Sequence, residues 1–457
     1  MPKHELTIIG GGPGGYVAAI KAAQKGLDVA LIEKETIGGV CLNWGCIPTK
    51  ALLKSAKVYE TINHASDYGI TLKKDAASVD IKSMIKRKDI IVKKLTGGVA
   101  HLLKKNGVKV YDGFAEVKDA NTVNVGDTTI ETKTLIIATG AHPAMPPIDG
   151  LKKAYEDGVV HTSKELLRIK EIPKNLTIIG GGVIGVEFAT IFNALGSNVT
   201  ILEREDDILL TIDDELRKPF KKKLEKDGVK ILTGADVKKV LKTKINYIHK
   251  DQEAAIEHSI VLLSTGMQPN LKGLEALNLK TTRLGIETDE YMRTNVKNVY
   301  AIGDVNGKYL LAHVASKEGI VAVEHLLGNK KPLDYRVIPS GIYTFPEIAQ
   351  VGLTEQEAKK AGIDYKVSTF PLSANGKALA ENETIGLVKM IADKKYNEII
   401  GVHILAQNAT EMISESVLGM TLEASAEEFA DAIHPHPTLS EMLHEVAHGI
   451  IDKPIHM

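Results

Sequence analysis

The run Thr7-Ile8-Ile9-Gly10-Gly11-Gly12-Pro13-Gly14-Gly15 returns as Thr177-Ile178-Ile179-Gly180-Gly181-Gly182-Val183-Ile184-Gly185, and nothing else in the chain restricts its fold as tightly. Each copy follows an apolar, β-type run and opens a stretch rich in Ala, Ile and Phe that reads as a helix. Each then reaches a second strand closed by an acid, DVALIE ending at Glu33 and NVTILE ending at Glu203, both 23 positions after the first glycine (33 − 10 and 203 − 180). A lone GxGxxG is weak evidence; between a strand and a helix, with an acid-tipped strand beyond, it is the context a dinucleotide fingerprint requires. Gly10 and Gly180 permit the tight turn, Gly12 and Gly182 let backbone approach a pyrophosphate, and Gly15 and Gly185 let helix pack on strand. The helix start, with Gly14 and Ile184 in its first turn, offers free N–H groups to phosphate. Glu33, with Lys34 beside it, and Glu203 are placed to contact ribose hydroxyls. A carboxylate there repels a 2′-phosphate, so Glu203 favours NAD over NADP, an effect that Arg204 weakens slightly. Two complete copies imply two dinucleotides.

Smaller echoes set the domain order. Leu135-Ile136-Ile137-Ala138-Thr139-Gly140 resembles Val261-Leu262-Leu263-Ser264-Thr265-Gly266, each an apolar strand ending in Thr-Gly, where backbone can pass close to a cofactor. Between them, Ala141-His142-Pro143-Ala144-Met145-Pro146-Pro147 reads as a proline-rich crossing into a second domain. In Ala301-Ile302-Gly303-Asp304-Val305 another strand ends in Gly-Asp, with a carboxylate placed for a cofactor hydroxyl, so the first domain resumes after about residue 270. At roughly 150 residues per domain, 457 residues make about three. The expected architecture is α/β: one Rossmann-like domain from 1–143 and 271–334, a second inserted at 144–270, and an α+β domain at 335–457. In that last domain, strands are expected at Thr384 to Ile391 and Ile399 to Leu405, followed by helices. Asp80 to Lys105 carries Ile81, Met84, Ile85, Ile91, Leu95, Val99 and Leu102 at helical spacing, which predicts an amphipathic helix packed on the first domain.

The 57 Lys and Arg against 58 Asp and Glu argue against a nucleic-acid binder, and the Lys221-Lys222-Lys223 run reads as a solvated face. No run approaches the ~20 apolar residues of a membrane span, and the N-terminal residues enter a strand pattern at once, without a targeting pattern. The expectation is a cytoplasmic protein whose partners are small molecules or proteins.

Both cysteines fall within Gly38-Gly39-Val40-Cys41-Leu42-Asn43-Trp44-Gly45-Cys46-Ile47-Pro48-Thr49-Lys50. Four intervening residues, including Asn43 and Gly45, can fold back to bring the Cα atoms within the roughly 4.4–6.8 Å a disulfide needs. Pro48 and the following Ala51-Leu52-Leu53 read as a helix start, so Cys46 sits where the helix dipole favours a thiolate. On the residues alone three readings stay open: a structural bridge, a zinc site completed by His434 and His436, and a redox pair beside a dinucleotide. Cx4C with HxH is an uncommon zinc spacing, and in a reducing compartment a close pair is more often catalytic or metal-binding than a staple. No metal site is expected. Near the C-terminus, His436 and Glu441 form a candidate acid–base pair, the carboxylate fixing the tautomer of an imidazole that takes a proton from a thiol.

GGVCLNWGCIPTK, the doubled glycine motif, AIGDV and HPHPTLSE together resemble the pyridine nucleotide-disulfide oxidoreductases over essentially the whole chain, most closely the members that oxidise dihydrolipoamide. The resemblance implies FAD in the first nucleotide domain, NAD in the second, a Cys41–Cys46 redox disulfide, and a C-terminal interface domain that makes a homodimer. It makes Cys41 the thiol that exchanges with substrate and Cys46 the one against flavin, with Gly39 and Val40 beside the cofactor. Lys50 is expected by the flavin, paired with Glu187. Gly113, Asp304 and Ala312 match FAD-binding positions, and Val237 and Gly266 NAD-binding ones; Thr139, Gly140 and Gly303 join them from the strand ends above. His436, backed by Glu441, is expected to reach the other subunit's disulfide. No cysteine follows Cys46, which disfavours mercuric reductases and large thioredoxin reductases, and Glu203 disfavours an NADPH-reading glutathione reductase. Trp44 and Phe345 stand at variable positions of the family. The implied partners are lipoyl domains of a 2-oxo acid dehydrogenase complex or the H protein of a glycine cleavage system, since no lipoyl domain is expected ahead of Met1. Two alternatives are a related NADH-dependent disulfide or quinone reductase and a redox-sensing docking subunit.

Overall fold

The computed structural model describes residues 1–73 and 76–457. The strand Lys3–Ile9 lies between Val29–Glu33 and Thr128–Ile137, all parallel, with Ile8 beside Leu31 on one side and Ile136 on the other. Lys109–Asp112 and Val299–Ala301 extend this sheet at its two sides. Period-two alternation divides its apolar residues: Leu6, Ile8, Leu31 and Ile136 pack with Ala18, Ala22 and Val321 of helices Pro13–Gln24 and Ala312–Leu326. Ile9, Ile32, Leu135 and Ile137 pack on the opposite face with Val117 and Val123, from the antiparallel strands Ala115–Asp119 and Thr122–Val125. Both faces are covered, as a parallel sheet requires.

The second sheet repeats the plan. Asn175–Ile179 lies between Asn198–Leu202 and Ile260–Leu263, flanked by Lys230–Leu232 and Val160–His161, all parallel. An antiparallel meander, Ala235–Val240, Lys244–His249 and Gln252–Glu257, again accompanies it. The chain leaves and re-enters the first unit side by side, because Ala141–Pro143 pairs antiparallel with Met267–Pro269. Asn270 fastens this crossing, donating to the Thr139 carbonyl at 2.9 Å and accepting the Thr139 hydroxyl at 2.7 Å. The strand Val299–Ala301 then rejoins the first sheet, so the second unit is an insertion in the first.

The third unit is a five-stranded antiparallel sheet in the order Ser340–Ile342, Glu347–Gly352, Ile399–Ala406, Leu387–Asp393, Tyr365–Pro371. Helices Ala409–Thr421 and Glu441–Ile451 pack on it. Its seam with the second unit holds Lys389, 1% exposed, bonded to Asp213 at 3.0 Å and Glu355 at 2.6 Å. Among the described residues no helix is long and apolar enough to cross a membrane.

Two elements differ from the sequence expectation. The strand expected from Thr384 starts at Leu387. Gly386 holds φ +139° against the Leu405 carbonyl, where a Cβ would lie 1.9 Å from the oxygen, so the backbone turns there before the ladder begins. The helix Ile81–Lys105 forms, capped by Asp80, which accepts from the Lys82 and Ser83 N–H groups at 3.0 and 3.2 Å. Its expected apolar stripe is only partly buried. Ile81 and Val99 are inside, joined by Leu103 and by Lys88, whereas Leu95 and Leu102 are exposed.

Candidate active site

One cavity of about 2800 Å³ runs between the two nucleotide-binding units, larger than the roughly 300–1,000 Å³ that suits one small ligand. The glycine turns shape it. Gly10 and Gly180 hold φ +108° and +107°, and a Cβ on either would strike the Ala138 or Ser264 carbonyl, at 2.1 and 2.4 Å. A Cβ on Gly15 or Gly185 would lie 1.8 or 2.1 Å from the carbonyl oxygen of Gly10 or Gly180, the close helix–strand contact the fingerprint needs. Around Gly12 and Gly182 the space is open: the nearest atom to an added Cβ is 3.9 Å away at Gly12, and none lies within 4 Å at Gly182. These two turns therefore fit a pyrophosphate laid against backbone at the start of a 12-residue helix. Glu33 is oriented by the Gly11 and Glu35 N–H groups, each at 2.7 Å, and Glu203 in the same way by those of Gly181 and Glu205, at 2.6 and 2.8 Å. The two acids, though 170 residues apart (203 − 33), are held alike.

Cys41 and Cys46 face this cavity. Cys41 lies in helix Gly39–Trp44 and Cys46 opens helix Cys46–Asn63, with Gly45 as the break between them. Asn43 pins the segment, its amide donating to the carbonyls of Ile37 and Gly39 at 3.1 and 2.9 Å. Both thiols are free and half-buried, and they share a hydrogen bond. That bond from Cys41, aided by the Lys50 ammonium and opposed by burial, holds the Cys46 thiol below its ordinary range. The same bond and burial push Cys41 up. Cys46, at the start of its helix and one turn from Lys50, is the member whose surroundings favour the thiolate. Lys50, one turn along the helix, grips both Glu187 oxygens at 2.8 and 2.9 Å. Glu187, 4% exposed, comes from the second unit's helix Val183–Ala194.

Gly10, Gly12, Gly14, Glu33, Lys34, Gly39, Val40, Gly113, Thr139, Gly140, Gly303, Asp304 and Ala312 line the cavity on the first unit. Gly180, Gly182, Ile184, Glu203, Val237 and Gly266 line it on the second. Gly15 and Gly185 do not, being packed inside their turns. His436 and Glu441 do not line it either. They form their own pair on the third unit, the His436 Nδ1 2.8 Å from Glu441 Oε1, while Glu441 Oε2 accepts the Thr438 N–H at 2.7 Å. The His436 side chain is 79% exposed. Burial alone would raise the Glu441 carboxyl, but the Thr438 N–H and His436 hold it below the ordinary range.

The family model for pyridine nucleotide-disulphide oxidoreductases matches residues 4–319, and that for the dimerisation domain of the same proteins matches 338–447. The chain belongs to the pyridine nucleotide-disulphide oxidoreductase family. Within the family, it is 42% identical to the dihydrolipoyl dehydrogenase of Bacillus subtilis over 99% of both chains. It is 55% identical to that of Acholeplasma laidlawii over 71% of this chain and 96% of the other. Among solved structures, it superposes on the HOCl-induced flavoprotein disulfide reductase RclA from Escherichia coli with a TM-score of 0.86 and 29% identity, covering 97% of this chain and 99% of that one.

Two residues of this family member's site escape a reading of its sequence. The Tyr343 N–H donates to Glu187 at 3.0 Å and its ring lies 4.3 Å from the Lys50 ammonium, so all three units meet at this ion pair. Glu318, fully buried, accepts from the Gly303 N–H at 2.6 Å, the Asn306 amide at 2.9 Å and the Tyr335 hydroxyl at 2.6 Å. It thereby ties the Gly303-Asp304 turn to the start of the third unit. The available signal was an acid, Glu318, set among the apolar residues of Ala312–Leu326, which also carries Glu324.

The Asp304 carboxyl is pushed up to about 6, first by burial and then by the Glu318 charge. The folded state therefore holds this proton more tightly than an unfolded aspartate near 3.8. The stability it contributes is complete below that value and lost as pH rises through about 6. Denaturation midpoints of the cofactor-free protein are expected to fall across this window, and Asp304→Asn to remove that part of the fall; an unaltered slope in the variant would exonerate Asp304.

Proposed function

We propose that this chain oxidises dihydrolipoyl groups to lipoyl groups and delivers the electrons to NAD, with FAD in its first nucleotide-binding unit. One observation carries the reading: a thiol pair polarised toward ionisation at Cys46 opens onto the cavity that both dinucleotide turns line. The dihydrolipoyl dehydrogenases among its relatives, matched nearly end to end, point to the substrate. The domains are taken as 1–143 with 271–334 for FAD, 144–270 for NAD, and 335–457 for dimerisation.

When bound, FAD accepts an electron pair from the thiols and NAD takes it on as hydride. Everything else falls to the chain. His436 of the partner subunit takes the proton of a substrate thiol at Nε2, while Glu441 holds Nδ1 and steadies the imidazolium. The substrate thiolate attacks Cys41 Sγ of the Cys41–Cys46 disulfide, forming a mixed disulfide and releasing Cys46 as the thiolate its surroundings favour. The second substrate thiol attacks the substrate sulfur of that mixed disulfide, the lipoyl ring closes and Cys41 leaves; His436 hands its proton to the departing Cys41 and takes up the proton of the second thiol. Lys50, fixed by Glu187 and Tyr343, places a positive charge beside the Cys46 thiolate. Since His436 lies outside the cavity of its own chain, the site is complete only in a homodimer. The proposed partners are lipoyl groups carried by separate proteins, and the proposed compartment is the cytoplasm.

The likeness to RclA favours a second reading, an NADH-driven disulfide reductase, though at lower identity than the dihydrolipoyl dehydrogenases. Supplying the FAD-loaded protein with NADH and a panel of disulfides separates the two: lipoamide as the preferred acceptor supports the first, and a different disulfide reduced faster overturns it.

Glu203 is the basis of NAD selection. Glu203→Ala is expected to raise use of NADP relative to NAD by about tenfold, since the lost carboxylate both repelled a 2′-phosphate and bonded the ribose. The ratio of kcat/KM values for the two nucleotides measures this, and an unmoved ratio would place the selection elsewhere.

A further inference from the structure

Trp44 is the chain's only tryptophan and lies between the two cysteines, at the C-terminal end of helix Gly39–Trp44. There the redox segment meets the second nucleotide-binding unit. Lys164, from that unit's short helix Ser163–Leu166, holds its ammonium 4.9 Å from the centroid of the indole. The same ammonium pairs at 2.9 Å with Glu35, which stands two positions after Glu33 on the first unit. The Glu35 carboxyl is held below its ordinary range, first by this bond. As a partly exposed ion pair the contact with Glu35 contributes little by itself, but a cation over the face of tryptophan is the strongest kind of cation–π contact. Trp44 also packs on the apolar cluster that joins Leu52 and Leu53 of the first unit to Leu166 and Phe188 of the second. Lys164, Trp44 and Glu35 all line the shared cavity.

We infer that Trp44 and Lys164 are positioning residues for the nicotinamide half of the reaction, a strut that sets the second unit against the segment carrying the thiols. The inference rests on placing NAD in that second unit. Transfer to NAD requires its ring at reacting distance from a group held by the first unit, and a misplacement of about 1 Å costs about 10²-fold in such a step. Thiol exchange at Cys41 makes no such demand, because Cys41 belongs to the first unit and its acid–base partner comes from the third unit of another copy. Loosening the strut therefore slows one half-reaction and spares the other.

Rapid mixing of FAD-loaded protein separates the halves: oxidation of dihydrolipoamide by the enzyme without NAD, followed by flavin absorbance, and NAD reduction by enzyme already reduced. Lys164→Met is expected to slow NAD reduction about fivefold and to leave the dithiol step within about twofold of wild type. Lys164→Arg is expected to restore the NAD step, because a guanidinium keeps both the stack on Trp44 and the pair with Glu35. The lone tryptophan supplies a signature of its own, with emission shifted in Lys164→Met and unshifted in Lys164→Arg. Equal slowing of both steps, no slowing of either, or failure of arginine to rescue would overturn the strut. A wild-type enzyme that takes electrons from dihydrolipoamide and passes none to NAD would instead overturn the placement of NAD.

Discussion

Cys46→Ser is expected to abolish oxidation of dihydrolipoamide while leaving FAD bound. The serine hydroxyl cannot close a disulfide with Cys41, so substrate meets a lone thiol and the electron pair has no route onward. On the proposed placement FAD rests instead against the turn at Gly10–Gly15, Glu33 and Asp304, none of which rests on the Cys46 side chain, and serine is close in size to cysteine. NAD reduction after dihydrolipoamide addition, together with flavin absorbance retained through gel filtration, reads both halves of the expectation. Loss of FAD from the variant would contradict this separation of roles. Cys41→Ala is expected to be equally inactive but to differ in acidity. Without the Cys41 thiol, the hydrogen bond that does most to lower Cys46 is gone, so its thiol should titrate higher than in the reduced wild type.

His436→Gln is expected to reduce dihydrolipoamide turnover by about 10²–10⁴-fold, the span typical of a lost acid–base group. Passage of electrons from NADH to ferricyanide should be unaffected, because that route bypasses proton transfer at the thiols. A parallel loss of ferricyanide reduction would mean that the substitution damages the dimer and not the proton transfer. Glu441→Gln should cost less, about tenfold, since the amide still contacts Nδ1 but no longer stabilises the imidazolium. Its carboxyl, held low by the Thr438 N–H and His436, stays ionised through the neutral range.

Much of this arrangement was legible in the chain. The doubled strand–glycine–helix–acid pattern predicts two parallel sheets because each of its parts acts locally: an apolar strand, a turn closed to side chains, and an acid at a fixed distance. The structure then holds Glu33 and Glu203 by matching pairs of N–H groups. The insertion was legible from proline placement and from the late Gly-Asp strand end, since Val299–Ala301 pairs with Thr128–Ile137 across the inserted unit. What escaped was non-local. Tyr343 and Glu318 act through contacts between units, and no local pattern marks a tyrosine whose backbone N–H will meet a glutamate 156 positions away. The exposed edge of Ile81–Lys105 escaped for a different reason: periodicity tells that a helix has an apolar face and not how much of that face is covered. Lys88 shows the converse, a lysine drawn to the buried side and paired with Asp89 at 2.5 Å. The separation of His436 from the cavity of its own chain is not written in HPHPTLSE itself, which specifies the pair with Glu441; only the family resemblance assigned His436 to the other subunit.

The central claim is that two cysteines relay electrons from a dithiol to NAD through a bound flavin. The steady-state rate of NAD reduction by dihydrolipoamide on FAD-loaded protein, with NADP as the parallel acceptor, tests it most directly. The account predicts rapid turnover with NAD and little with NADP. No turnover with either nucleotide, while NADH still reduces the flavin, would contradict it and assign Cys41 and Cys46 to another disulfide.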